Sequence, residues 1–336
     1  MATSVQTKHF IAVCAVILWT CAYQAMSRTL YESSVAEAFQ HWKSQHGRTY
    51  ADDAEKGKRF KIFVKNLEYI EKFNNAGNKS YKLGLNPFSD LTEEEFIASH
   101  TGLKVNSSLP RSTPATSLNV ENIPTSLDWR ERGAVTNVKD QGRCGSCWAF
   151  SAVAAVEGIF QITNKKLISF SEQQLVDCDN DSNGCDGGLP DKAFNYIREN
   201  GGIANENDYP YQGIDGTCQM AQIAAQISGY EDVPENSEEQ LLQAVANQPV
   251  SVGVAVNQNF KAYESDVFEG PCGTRLNHAV AIIGYGTTED GKKYWLIKNS
   301  WGERWGENGY MKLLRDSGEH GGVCGVAMQA SYPVMQ

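Results

Sequence analysis

The segment QGRCGSCWAFS places a thiol where chemistry favours a thiolate. Cys147 opens the apolar run CWAFSAVAAVEGIFQI, a predicted helix from Cys147 to Ile162, directly after a glycine-containing loop that lets a substrate backbone come close. The unpaired N–H groups and positive dipole end of a helix stabilise an anion, and a nearby imidazolium would lower the thiol pKa further. Such a group attacks carbonyl carbon at acid to neutral pH. A cysteine taken alone, however, reads more simply as a buried structural thiol.

Counting the cysteines sharpens the question without answering it. Of the nine, Cys14 and Cys21 fall in an N-terminal apolar segment, leaving Cys144, Cys147, Cys178, Cys185, Cys218, Cys272 and Cys324. An oxidising compartment would pair six and leave one thiol over, and six cysteines permit about 15 pairings. Zinc is the rival reading. Its ligands come as close pairs, and only Cys144 and Cys147 have that spacing, with no second pair or nearby histidine. Neither metal nor organic cofactor is implied.

The string around Cys147 resembles the active-site segment of papain and the lysosomal cathepsins, and the other members of that set follow in order. His278 stands in LNHAVAIIGYG and Asn299 in WLIKNSWG. The resemblance implies a cysteine endopeptidase hydrolysing peptide bonds through a Cys–His ion pair and a thioester. His278 would take the thiol proton and return it to the leaving amine. Asn299 would hydrogen-bond the far ring nitrogen, fixing orientation and tautomer, with Trp301 shielding that bond. Gln141, six residues before the thiol, would join the Cys147 backbone N–H as oxyanion donor, a contact whose loss typically costs about 2.7 to 4 kcal/mol.

The same resemblance implies the pairs Cys144–Cys185, Cys178–Cys218 and Cys272–Cys324, each stabilising by roughly 2 to 4 kcal/mol. Cys147 is then the odd thiol. It also implies an apolar pocket for the second residue before the scissile bond (P2), walled by Leu189, Pro190, Gly253, Leu276 and Ala279, with Gln329 near its floor. Gly187 and Gly188 in GCDGG would hydrogen-bond an extended substrate. Many relatives carry Asn where this chain has Asp186, which alters the expected charge of the cleft.

The elements that must position these residues differ along the chain. Lys8, the apolar run Phe10 to Trp19, and the small residues Ala25 and Ser27 read as a signal peptide cleaved near residue 27. The run falls short of the roughly 20 apolar residues of a spanning helix. Helices are expected at AEAFQHWKSQHG and at DDAEKGKRFKIFVKNLEYIEKFNN, where Phe60, Phe63, Leu67 and Ile70 recur at helical spacing. Residues 104 to 122, rich in Ser, Thr and Pro, read as an exposed linker, so a domain boundary is expected at 122/123. Beyond it, SEQQLVDC, PDKAFNYIREN and EEQLLQAVAN read as helices, and PVSVGVAV, HAVAIIGYG, KKYWLIKNSW and GYMKLLR as strands.

A helical part followed by a sheet-rich part predicts an α+β chain of two lobes. By resemblance this is a papain-like fold, with a helical lobe over about 131–231 and an antiparallel, barrel-like lobe over about 232–330.

The preceding segment, 28–122, has its own signature. Glu55, Arg59, Phe63, Asn66, Ile70 and Asn74 keep one helical face, and GLNPFSD contributes Gly84, Asn86, Phe88 and Asp90. Both resemble the prosegment of cathepsin-L-like zymogens, which implies a helical inhibitory prodomain whose downstream strand crosses the cleft in a non-cleavable direction. Protonation of carboxylates such as Asp90 is expected to release it in acid.

Residues 123–336 hold 16 Lys+Arg against 28 Asp+Glu. That acidity argues against nucleic acid or anionic membranes as partners. The expected partners are polypeptide substrates, the chain's own prosegment and cystatin-type inhibitors, with a monomer once mature. Asn-x-Ser/Thr acceptor triplets occur at Asn78, Asn106 and Asn180. The expected destination is the secretory pathway, leading to vacuole, lysosome or extracellular space. Two rivals, an inactive relative and a free inhibitor, are disfavoured because Cys147, His278, Asn299 and Gln141 are all present and because 123–336 would be superfluous.

Overall fold

The computed structural model describes residues 31–77, 79–105 and 122–335. The expected signal segment, Asn78, Asn106 and most of the Ser/Thr/Pro-rich stretch lie outside the described residues. Among those described, no helix is long and apolar enough to cross a membrane.

Two compact units divide at Glu68 and Tyr69. The first contains helix α1, described over residues 31–45, and most of α2 (Asp53–Asn75). Its core is aromatic. Phe39, Trp42 and Phe63 are buried together, with Tyr50, Phe60 and Leu67 packed around them. This is the apolar face that Phe60, Phe63 and Leu67 at helical spacing anticipated, and Arg59 pairs with Glu55 at 3.9 Å on the same helix.

The second unit begins inside the prosegment. Ile70 joins the main core, and Asn74 clasps Leu83 through its side chain, donating to the carbonyl at 2.7 Å and accepting the N–H at 3.1 Å. Strand β1 (Tyr81–Leu83) and helix α3 (Glu93–His100) follow. Thr92 and Glu95 form a reciprocal capping box at the start of α3. After β2 (Leu127–Asp128) comes α4 (Cys147–Asn164). Eleven residues of α4 are buried, on all sides of the helix, because its sequence offers no polar face.

Helices α5 (Glu172–Cys178) and α6 (Pro190–Glu199) pack on α4 through Leu175, Val176, Phe194 and Ile197. A short pair, β3 (Ile203–Ala204) with β4 (Ile223–Ala225), closes this helical part. The remainder is β5 (Gly229–Asp232), α7 (Glu238–Asn247), β6 (Val250–Val254), α8 (Gln258–Lys261), β7 (Tyr263–Phe268), β8 (His278–Thr287), β9 (Lys293–Lys298), β10 (Tyr310–Leu314) and β11 (Ala330–Val334).

Apart from β3 and β4, the described strands form one open path, β1-β7-β10-β9-β8-β6-β11-β5, with β2 added on β8. The pairings are antiparallel throughout except between β7 and β10, which run parallel. The β8–β9 excursion lies between them in sequence and returns the chain on the near side of β9, so β7 joins β10 from outside. Strand β8 is buried along nearly its full length, which explains why HAVAIIGYG reads as a continuous apolar run. Pro333, lacking an N–H, lies in β11 opposite Tyr230 of edge strand β5, beyond the pairs that β11 makes with β6.

Candidate active site

Cys147 is the first residue of α4, is fully buried, and is the one unpaired cysteine among the described residues. The other six are joined as Cys144–Cys185, Cys178–Cys218 and Cys272–Cys324. The first disulfide ties the loop before α4 to the GCDGG turn, so the thiol and the two glycines share one anchored rim.

His278 heads β8, opposite Val254 of β6. Its Nε2 lies 2.8 Å from Asn299 Oδ1, which also accepts the Ser300 backbone N–H at 2.8 Å. An oxygen that already accepts one hydrogen can only accept another, so Nε2 carries the proton in the neutral ring and Nδ1 presents a lone pair. That Nδ1 is buried and makes no hydrogen bond. Trp301 stacks on the imidazole at 4.4 Å between centroids and donates its indole N–H to the His100 carbonyl at 3.0 Å. Phe88, Phe96 and Phe260 pack edge-on against the same indole.

Gln141 is fully buried, its amide donating to Cys144 O at 2.8 Å and accepting from Ser300 Oγ at 2.6 Å. Ser300 therefore links the Gln141 side chain to the Asn299 segment. Tyr211 Oη donates to the Gln141 carbonyl at 2.8 Å and contacts Ser146 Oγ at 2.7 Å, so a distant loop holds both residues that flank the thiol region.

The cleft is occupied by the chain's own prosegment. Gly102 O accepts from Gly188 N at 2.9 Å, Lys104 N donates to Gly188 O at 2.9 Å, and the N–H groups of Gly102 and Leu103 both reach Asn277 O at 3.1 Å. Gly102 also turns its N–H toward the Cys147 sulfur. Gly102 thus offers the sulfur a hydrogen-bond donor, while its own carbonyl, in the following peptide group, is held by Gly188. A Cβ on Gly102 would fall 1.9 Å from Gly145 O, so only glycine permits this approach.

Leu103 is buried with Cys147, Leu189 and Ala279, and Leu276 packs on them. A Cβ built on Gly253 would meet Leu103, Leu276 and Gln329 at 2.8, 3.1 and 3.3 Å. Five residues expected to wall or floor one pocket therefore surround one leucine side chain, and Pro190 begins α6 beside Leu189. Of the two glycines expected to pair with an extended chain, Gly188 does so. Gly187 spends its N–H on Gly184 O and its carbonyl on Asn183 N instead, because it closes the tight turn there with φ +115. Asp186 and Asn180 are exposed.

Sequence reasoning did not find Gly102, Leu103 or Asn277. Asn277 is held by Val256 through its side chain in both directions, at 2.8 and 3.1 Å, and its place just before His278 was the available signal.

Burial without compensating charge shapes the electrostatics of this covered site. It pushes the Cys147 thiol up to about 12, against the backbone N–H groups of Ala279, Gly102, Trp148 and Cys147 itself. It pushes His278 down to about 4, opposed by the Asn299 hydrogen bond. Both groups are neutral here. In the covered precursor, burial therefore favours the neutral thiol and imidazole over the ion pair.

Residues 123–334 match the papain family cysteine protease model, and residues 39–96 match the cathepsin propeptide inhibitor domain. Cysteine proteinase EP-B 1 of Hordeum vulgare is 50% identical over 321 residues, covering 90% of this chain and 85% of that protein. Vignain of Ricinus communis is 50% identical over 314 residues, covering 90% and 87%. Among solved structures, recombinant stem bromelain precursor aligns with TM-score 0.85 at 46% identity, covering 90% of this chain and 99% of that one. The proform of Amb a 11, a ragweed pollen cysteine protease, aligns with TM-score 0.86 at 44% identity, covering 91% and 96%.

Proposed function

The chain belongs to the papain family of cysteine proteases and is made as a proform with its own inhibitor domain, and from that premise we propose how its residues act. Once uncovered, Cys147 and His278 exchange one proton to become thiolate and imidazolium. The thiolate attacks the scissile carbonyl, and the resulting oxyanion is held by Gln141 Nε2 and the Cys147 N–H. His278 Nδ1–H protonates the leaving amine, a thioester remains, and the same imidazole then activates water to release the acid. Asn299 keeps the ring in register throughout.

The observation that carries this reading is the seating of Leu103 beside Cys147 while the Gly102 and Leu103 backbone pairs with Gly188 and Asn277. A cleft that binds one peptide by its backbone and one apolar side chain suits others of opposite polarity, with an apolar residue at P2. The three disulfides support an oxidising compartment of the secretory pathway.

Release is acid-driven in this proposal. Lys261 Nζ donates to Leu91 O at 2.7 Å, and burial lowers its pKa to about 8 although Glu93, Asp90, Glu94 and Glu95 oppose the shift. Neutralising those carboxylates leaves a buried ammonium without counter-charge, which weakens prosegment docking. Incubating the precursor at pH 4 and pH 7.5, then alkylating with iodoacetamide and mapping by mass, tests both parts. Maturation is expected at pH 4, with loss of peptidase activity proportional to label on Cys147. Equal maturation rates would sink the acid trigger, and activity surviving full Cys147 labelling would sink the mechanism.

A further inference from the structure

Behind the pocket that holds Leu103 lies a buried carboxylate that the proposed mechanism does not use. Asp191, the second residue of α6, is 8% exposed. Its Oδ2 accepts from Gln329 Nε2 at 3.0 Å and its Oδ1 from Ser331 Oγ at 2.5 Å. A carboxylate can only accept, and the α6 N-terminus favours its anion, so the Gln329 amide has one permitted orientation: nitrogen toward Asp191, oxygen away from it. The backbone of Gln329 is equally fixed, because its carbonyl accepts Gly253 N at 2.7 Å. The Cβ of Gln329 faces the same point beside Gly253 as the methyl of Leu103.

We propose that Asp191 is a specificity-determining positioning residue, which locks Gln329 so that its amide oxygen, turned away from Asp191, is the acceptor at the far end of the apolar pocket. The inference rests on the P2 reading of that pocket. An otherwise apolar site with one fixed acceptor tolerates a P2 side chain that ends in a donor and rejects an isostere that ends in an anion. Glutamine and glutamate are that pair. An unsatisfied buried polar group or facing like charge discriminates far more strongly than a change in apolar size.

The test uses enzyme released from the full-length precursor and three peptide substrates differing only at P2: Leu, Gln and Glu. For the wild type, kcat/KM for P2 Gln is expected to exceed that for P2 Glu at least tenfold. In Asp191→Asn the side-chain amide can donate to Gln329 Oε1, so the Gln329 amide can turn its NH2 to the pocket, and the Gln-over-Glu ratio should fall at least fivefold. Gln329→Met, which removes the amide altogether, should lower the same ratio and serves if Asp191→Asn does not fold. Gly253→Ala narrows the pocket directly and should lower the Leu-over-Gln ratio. If Gly253→Ala leaves that ratio unmoved, the pocket is not the P2 site. If it shifts the ratio while Asp191→Asn and Gln329→Met leave Gln-over-Glu unchanged, the pocket stands and the role of Asp191 is overturned.

Discussion

Two clusters of ionisable groups are buried against the same helix and have opposite fates. Cys147 and Glu157 both stand on α4, ten residues and so about 15 Å apart. At the first, burial meets no counter-charge and both partners are neutral, the thiol pushed up and the imidazole down. At the second, burial alone would raise the Glu157 carboxyl, yet Lys139, Lys298, Thr136 and the Phe170 N–H hold it low. Lys139 lies 3.2 Å from Glu157, 2.7 Å from Glu172 and 3.5 Å from Glu206, and Lys298 Nζ donates to Thr136 Oγ1 at 2.8 Å. With three carboxyls to two ammoniums, the surplus negative charge is relieved at Glu172, which burial pushes up to about 8 so that it retains its proton at neutral pH. Burial under the prosegment, with no counter-charge, favours neutral forms. Burial within the permanent core, with fixed counter-ions, keeps Glu157 charged and binds α4 to β9.

The comparison also bears on the proposed acid trigger. A thiolate–imidazolium pair and a thiol–imidazole pair carry the same number of protons, so covering the site changes no proton count between those states. Linkage then demands that pH sensitivity arise elsewhere, which directs attention to the carboxylates around Lys261.

The largest effect should appear in alkylation of Cys147 at pH 7. A thiol near 12 has about 10⁻⁵ of its population as thiolate at pH 7, so the precursor should react about 10⁵-fold more slowly than an uncovered enzyme whose thiol is ionised. Rates within tenfold of each other would erase the contrast between the clusters.

Breaking the second cluster should cost stability and leave that contrast intact. Lys139→Met strands Glu157 and Glu172, and a loss of about 3 to 5 kcal/mol is expected in urea unfolding of the precursor. In the wild type, His278 is lowered from 6.5 to about 4. The unfolded chain therefore binds the extra proton, and stability should climb between pH 4 and 6.5. The low Glu157 carboxyl acts in the same direction, its contribution being lost as pH falls below the ordinary carboxylate range. Glu172 has the opposite sign, with its contribution lost as pH rises through about 8. A midpoint that rose steadily from pH 6.5 to 7.5, below the range in which the lowered Lys261 begins to act in the opposite sense, or a Lys139→Met loss under about 1 kcal/mol, would contradict this account.

A smaller effect is expected from Gly102→Ala, whose Cβ would meet Gly145 O at 1.9 Å. Prosegment docking should weaken by about tenfold, equivalent to about 1.4 kcal/mol, read as faster maturation at a fixed acid pH. Unchanged maturation would mean that the close approach of Gly102 does not hold the cover in place.

Much of this molecule is legible in its sequence, for identifiable reasons. Helix α4 announces itself through CWAFSAVAAVEGIFQI and β8 through HAVAIIGYG, because both are buried nearly all round, while β9 and β10 read as apolar-rich segments after glycines, β10 alternating between buried and half-buried positions. Strands β1 and β7 were missed. Each is short, and YESDVF in β7 lacks alternation, its burial being decided by β10 on one side and the prosegment strand β1 on the other. The boundary inferred from composition at 122/123 differs from the compact division at Glu68 and Tyr69, because residues 69–105 have no core of their own and complete the sheet unit.

By itself the sequence determined the identity of the reactive groups. One cysteine at a helix start, with His278, Asn299 and Gln141 in order, is a pattern of residue types and spacings, and such patterns survive in one dimension. The tertiary structure alone decided the state of those groups, for that depends on dielectric and neighbours contributed from far along the chain. Gly102 brings its N–H to the Cys147 sulfur, Leu103 packs beside it, and Asp191 accepts the Gln329 amide. None of these contacts has a local signal, since each joins residues more than forty positions apart.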